Sequence, residues 1–78
     1  MVHNRITLNL LPIGYKARVK EIVEEGNKKI RFLDLGLVQN TEIKAIQRSP
    51  AGDPVAYYIR GAVIALRSEE ASKIIIEI

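Results

Sequence analysis

Residues 30–71, IRFLDLGLVQNTEIKAIQRSPAGDPVAYYIRGAVIALRSEEA, are the most informative part of the sequence, because turn-forming residues cut them into short apolar segments. Apolar residues occupy every second position of Val55–Arg60, which predicts a strand with one buried face. Gly61 interrupts this run before a second apolar stretch, Ala62–Arg67, so the two segments are predicted to form a tight hairpin. A further strand is predicted for Thr41–Arg48. The predicted turn residues are Gly36, Asn40, Gly52, Asp53, Pro54 and Gly61.

The segment Asn27–Leu35 changes from the spacing of a strand to that of a helix. Ile30, Leu33 and Leu37 fall at positions i, i+3 and i+7, and we expect them to share one helix face, widened by Phe32 and Leu35. Asn27 is expected to cap the helix, and Gly36 occupies the position after its C-terminus where a left-handed residue is favoured.

The flanking segments add two more strands and one helical turn. Ala17–Glu24 is predicted to be a strand with a bulge near Glu21–Ile22, because the phase of its apolar residues shifts there. Ser68 is expected to cap a short helical turn, and Lys73–Ile78 is predicted to be a final strand whose two faces are both at least partly covered. About five strands in so short a chain favour a mainly β fold, a small SH3-like barrel with a short helical insertion and a helical turn before the last strand.

Composition limits both the size of the protein and its chemistry. The 78 residues predict one domain, 1–78, and the absence of cysteine excludes disulfides, thiolate metal sites and a thiol nucleophile. No apolar run approaches the roughly 20 residues that a membrane-spanning helix needs, and the N-terminus lacks the features of a signal peptide. The net charge of +3 is a modest basic excess that favours anionic partners only weakly.

No pattern of catalytic or metal-binding residues is visible. His3, the single histidine, has no candidate ligand spaced near it, and the carboxylates are scattered. The glycine-rich phosphate-binding motifs are absent, so we predict a protein that is not an enzyme and has no catalytic residue or certain cofactor. Weak divalent-metal binding and self-association are both compatible with the sequence. Nucleic-acid binding is not expected, because the basic residues are not accompanied by a row of aromatic residues that could stack on bases.

Four short motifs occur together in an order that resembles the FeoA domain family. They are the segment Arg31–Leu37, the turn ending in Thr41-Glu42-Ile43, the loop Ala51–Val55, and the segment Gly61–Ala71. The family pattern commonly has Pro-Gly-Thr at the first turn, where this chain has Gln39-Asn40-Thr41. Asn adopts the same left-handed geometry, so we expect the fold to be retained. A second departure is Phe32, where an aliphatic residue is usual.

The resemblance implies a small cytoplasmic accessory protein of bacterial ferrous-iron uptake. Its expected partner is a membrane ferrous-iron permease that carries a cytoplasmic GTP-binding domain, and its expected location is the cytoplasm or the inner face of the cell membrane. An exposed apolar edge on the predicted helix would suit this contact, although a core position for Phe32 is the alternative. The predicted partner-binding residues are Arg31, Phe32, Leu33, Leu35, Gly36 and Leu37.

Two other functions stay open at this point. Iron-dependent repressors end in a related SH3-like domain, so the chain could be a regulatory module. It starts at Met1 and has no room for the DNA-binding and metal-binding regions that precede such a domain, which favours a stand-alone protein. A small nucleic-acid-binding barrel is the second alternative, and it predicts binding that weakens steeply as salt increases.

Overall fold

The computed structural model describes residues 4–78, and within them it contains six strands, two α-helices and one 3₁₀ turn. The strands are β1 (Arg5–Thr7), β2 (Lys16–Ile22), β3 (Glu42–Arg48), β4 (Val55–Ile59), β5 (Ala62–Leu66) and β6 (Ile74–Glu77). The helices are α1 (Asn27–Asp34) and α2 (Ser68–Ala71), and the 3₁₀ turn is Leu8–Leu10.

All six strands form one antiparallel sheet in the order β1-β6-β2-β3-β4-β5. The mainly β prediction is therefore confirmed, but the expected count of about five strands is one too low. The missed strand is β1, which pairs Arg5 with Glu77 and Thr7 with Ile75. With only three residues it carries too little alternation to identify, and its conformation depends on the distant strand β6.

Strand β6 lies between β1 and β2, so its backbone is paired on both sides. Ile74 and Ile76 point into the core with no exposed surface, while Ile75 on the opposite face is half-buried. The prediction that both faces of the last strand are covered at least partly is confirmed. Ile78, beyond the end of the strand, is half exposed.

The bulge predicted in the second strand is confirmed, one residue earlier than expected. The register between β2 and β6 shifts between Val19 and Glu21, so the inward-facing positions change phase at this point. A second irregularity, between Ala45 and Gln47 on β3, was not predicted. Bulges increase strand twist, and two in one small sheet favour the strong curvature of a barrel-like fold.

The core lies on one face of this curved sheet. On β4 the alternate residues Val55, Tyr57 and Ile59 are buried, as their spacing predicts. Burial raises the pKa of the Tyr57 hydroxyl. The remaining buried residues come from the other strands and from the segments that cover the sheet: Leu8, Leu11, Ala17, Val19, Phe32, Leu37, Ile43, Ala45, Leu66, Ala71, Ile74 and Ile76.

Candidate protein-contact surface on helix α1

Helix α1 begins without a side-chain cap. Asn27 is its first helical residue rather than its cap, because the preceding Gly26 takes the capping position with φ +66° and no side chain to accept a hydrogen bond. The first turn holds Lys28 and Lys29 and no acidic residue, an arrangement that the helix dipole disfavours. The helix therefore depends on its C-terminus and on packing for its position.

The C-terminus of α1 has two hydrogen bonds that together form a Schellman motif. The Leu37 N–H donates to the Phe32 carbonyl oxygen at 3.0 Å, and the Gly36 N–H donates to the Leu33 carbonyl oxygen at 3.0 Å. Gly36 has φ +96°, and a Cβ at this position would lie 3.0 Å from Cδ of Arg60. The backbone conformation favours glycine here, and a larger residue would also have to displace the Arg60 side chain by a few tenths of an ångström.

The inward face of α1 differs from the predicted one. Phe32 is 2% exposed and Leu37 is fully buried, while Ile30 and Leu33 are 55% and 41% exposed. Ile30 and Leu33 share a helix face as predicted, but Leu37 does not belong to that face, because the helix ends at Asp34 and Leu37 follows the left-handed Gly36. Leu37 reaches the core from the turn, so its spacing from Ile30 does not place the two side chains on one face.

Arg31 connects α1 to α2. Its Nη1 makes a short contact with Oε2 of Glu70, and its guanidinium carbon lies 5.9 Å from the centre of the Phe32 ring. The same carboxylate accepts a hydrogen bond of 3.1 Å from the Arg67 N–H. These two hydrogen bonds, that of Arg31 being the stronger influence, lower the pKa of Glu70. The charged group of Arg31 is thus engaged within the chain.

The structure divides the six predicted partner-binding residues between the core and the surface. Phe32 and Leu37 are buried, Leu35 and Gly36 are half-buried, and Arg31 and Leu33 are exposed. Partner binding by this segment stays a prediction, but Phe32 is a core residue and cannot contribute an exposed edge.

Ile30 was not among the predicted contact residues, yet it is the most exposed apolar side chain of α1. Leu33 lines a shallow hollow of about 240 Å³ whose wall includes the half-buried Ile22 of β2. We refer to Ile22, Ile30 and Leu33 as the α1 surface. Helical spacing alone could not find it, because spacing shows that two residues share a face but not whether that face is covered.

The predicted turn residues lie in the loops that connect the strands and helices. Asn40, Gly52 and Gly61 have φ values of +71°, +90° and +85°. Oδ1 of Asp53 accepts a hydrogen bond of 2.7 Å from the Ser68 N–H. Ser68 is therefore the first residue of α2 and not its cap, and Asp53 satisfies its free amide from the neighbouring loop.

Two features are absent from the described residues: a group of possible metal ligands and a helix that could span a membrane. Across residues 4–78 no three His, Cys, Asp or Glu side chains come together in a group that could hold a metal ion. His3 lies outside the described residues. No helix between residues 4 and 78 has the length and apolar character needed to span a membrane.

Solved structures of similar chains support the fold. A FeoA-like protein from Clostridium acetobutylicum is 37% identical, with a TM-score of 0.88 and coverage of 100% of this chain and 90% of that one. The zinc complex of FeoA from Stenotrophomonas maltophilia, described as a prokaryotic SH3 domain protein, is 25% identical with a TM-score of 0.81, covering 91% and 88% of the two chains. The SH3-like prediction is therefore confirmed.

A manganese-dependent transcriptional repressor shares the fold as well. It is 17% identical with a TM-score of 0.83, and the match covers 97% of this chain and 42% of the repressor. The predicted relation to repressor domains is therefore seen at the level of fold.

Sequence comparison identifies the family. An Fe(2+) transport protein A/Fe(2+) transporter FeoB fusion protein from Porphyromonas gingivalis is 34% identical over 71 residues. That match covers 91% of this chain but only 8% of the length of the fusion protein. The model of the FeoA domain matches residues 6–78, which include every strand except the first residue of β1. With this match over nearly its whole length, the chain belongs to the FeoA domain family.

Proposed function

We propose that this protein is a non-catalytic accessory component of ferrous-iron uptake that binds the cytoplasmic GTP-binding region of a ferrous-iron permease. The observation that carries the proposal is the Porphyromonas gingivalis fusion, in which a domain similar to this chain is joined covalently to a ferrous-iron transporter. Covalent linkage keeps two domains at a high effective concentration, which is useful when they contact each other. A cytoplasmic location follows from the proposed partner.

The α1 surface is the contact site that we propose. Ile30 and Leu33 lie one turn apart on the same side of the helix, so a partner can cover both with one apolar patch. Burying such a side chain completely contributes about 1.5–3 kcal/mol, and these two are already partly covered. Two residues of this kind therefore give a weak contact, so a small structural change in the partner is enough to form it or to abolish it.

The packing beneath the α1 surface makes this site well defined. Phe32 and Leu37 fix the helix against the core, and Arg31 fixes it to Glu70 of α2. A contact made by side chains on a fixed helix loses less conformational entropy on binding than one made by a mobile loop. The packing thus fixes the position of the helix backbone that carries the exposed residues.

The test is co-purification of this protein with a ferrous-iron permease, without nucleotide and with GDP or a non-hydrolysable GTP analogue. The double variant Ile30→Gln/Leu33→Gln removes the apolar contact but keeps residues that favour a helix, and we expect at least about tenfold weaker association. Val63→Gln is the matched control, because Val63 is 64% exposed on β5 and lies outside the α1 surface. A folded double variant that binds as well as the wild-type protein would show that the α1 surface is not the contact.

A further inference from the structure

The outer face of the sheet carries two lysines directly opposite each other. Lys16 on β2 pairs with Lys44 on β3, and Lys44 pairs in turn with Tyr58 on β4. Directly paired residues of antiparallel strands project from the same face, with Cβ atoms about 5 Å apart. Like charges at such positions destabilise a sheet, so the pair works against folding stability.

Arg60 is a second locally unfavourable residue, and it lies in the turn that follows β4, two residues after Tyr58. The β4–β5 turn consists of Arg60 and Gly61, and both have positive φ, +49° and +85°, as a type I′ turn requires. Asparagine or glycine suits the first of these positions, whereas a long side chain there is strained. The stem of Arg60 lies against the end of α1 at Gly36, which restricts the position of its side chain.

These residues meet around one open cleft of about 410 Å³, which we call the basic cleft. Its lining residues are Lys16, Thr41, Glu42, Lys44, Tyr58, Arg60 and Gly61. Three of these are cations and one is a carboxylate, and that carboxylate already lies 3.8 Å from the Lys16 amine. In the part of the chain that the structure describes, neither Lys44 nor Arg60 makes an ion pair.

We propose that the basic cleft binds a phosphoryl group. The cleft has an excess of two positive charges over its carboxylate, and a phosphate monoester carries roughly two negative charges at neutral pH. The guanidinium of Arg60 matches the spacing of phosphate oxygens, and Lys44 supplies a second cation. The hydroxyl groups of Tyr58 and Thr41 are further donors at the rim.

An anion in the cleft accounts for both unfavourable features together. It relieves the repulsion between Lys16 and Lys44, and it gives the strained Arg60 a function that asparagine lacks. Strain and like-charge repulsion that converge on one cleft point to ligand binding more strongly than surface lysines alone. The basic cleft shares no residue with the α1 surface, so the proposal stands independently of permease binding.

The phosphoryl group has two candidate sources, a free phosphate or the headgroup of a phospholipid, and the experiment separates them. In the first arm, backbone amide NMR shifts are followed during titration with inorganic phosphate against chloride at the same ionic strength. In the second arm, sedimentation with vesicles that contain phosphatidic acid, whose headgroup is a phosphate monoester, is compared with sedimentation with vesicles of phosphatidylcholine. Saturable shifts confined to the cleft support a free phosphate, and selective binding to vesicles with phosphatidic acid supports a headgroup.

A pair of charge-matched variants makes the test specific. Lys44→Gln/Arg60→Asn removes two cations from the cleft and places a residue that favours the turn at position 60, so the variant is expected to fold. Lys28→Gln/Lys73→Gln removes the same charge from exposed positions elsewhere. We expect about 20-fold weaker binding for the first variant and little change for the second. Equal losses in both variants, or no saturable binding in either arm, would overturn the proposal.

Discussion

Replacing Gly36 with alanine tests whether the end of α1 is held by its contact with Arg60 as well as by its backbone conformation. Alanine at φ +96° costs about 1–2 kcal/mol, because its Cβ crowds the neighbouring carbonyl group. The new Cβ would also lie 3.0 Å from Cδ of Arg60, and moving that side chain off its rotamer costs roughly 1 kcal/mol more. We therefore expect Gly36→Ala to lower the free energy of unfolding by about 2–3 kcal/mol.

Gly52 provides the control for the backbone contribution alone. It has nearly the same φ, +90°, but a Cβ there would meet no heavy atom within 4 Å. Urea unfolding monitored by circular dichroism should therefore show a loss for Gly52→Ala that is smaller by about 1 kcal/mol than the loss for Gly36→Ala. The difference should disappear when both substitutions are made in an Arg60→Asn background.

Two outcomes would refute this reasoning. Equal losses for the two glycines in the wild-type background would show that the approach of Arg60 to Gly36 has no energetic consequence. A difference that persists without Arg60 would place its origin elsewhere, such as in the half-buried surroundings of Gly36.

Two further predictions concern the core and the link between the helices. Phe32→Ala should lower the free energy of unfolding by about 3–5 kcal/mol, because Phe32 is a core residue. Leu33→Ala, at the adjacent exposed position, should lower it far less. Comparable losses of stability in urea unfolding would contradict the assigned orientation of α1. In the folded protein the pKa of Glu70 is lowered from its ordinary value of 4.5. The ionised Glu70 carboxylate therefore stabilises the fold fully above pH 4.5, and this stabilisation is lost as the pH falls through the folded-state pKa. The stability difference between wild type and Glu70→Gln should therefore shrink on acidification from about pH 6 to pH 3, and a constant difference would count against the Arg31–Glu70 link.

The strands with strong alternation could be predicted from the sequence. In β4 the buried face of Val55, Tyr57 and Ile59 follows directly from a spacing of two, and the turn at Gly61 limits how β4 and β5 can pair. The bulge in β2 was visible because its apolar residues change phase. Strand β1 was not visible, because its three residues become a strand only by pairing with β6, about 70 positions further along the chain.

The helix that carries the candidate site was predicted in its location, but the side chains that it buries were not. Helical spacing identified the segment that forms α1, and Gly36 stands at the C-terminal position that the sequence suggested. Leu37 enters the core because the helix stops at Asp34, and the Schellman hydrogen bonds to the carbonyl oxygens of Phe32 and Leu33 mark that end. The contacts of Arg31 with Glu70 and of Asp53 with Ser68 join residues 39 and 15 positions apart, so no local pattern indicates them.

Gly36 and Arg60 connect the two surfaces to which we assign binding. Gly36 ends the helix that presents Leu33, while Arg60 belongs to the turn beside the basic cleft. Cδ of Arg60 would lie 3.0 Å from a Cβ at position 36. An anion that holds the guanidinium of Arg60 would also restrict the stem that packs against the end of α1. Because the two sites share no lining residue, a variant at Lys44 is expected to change the basic cleft alone, whereas a variant at Gly36 or Arg60 is expected to affect both sites.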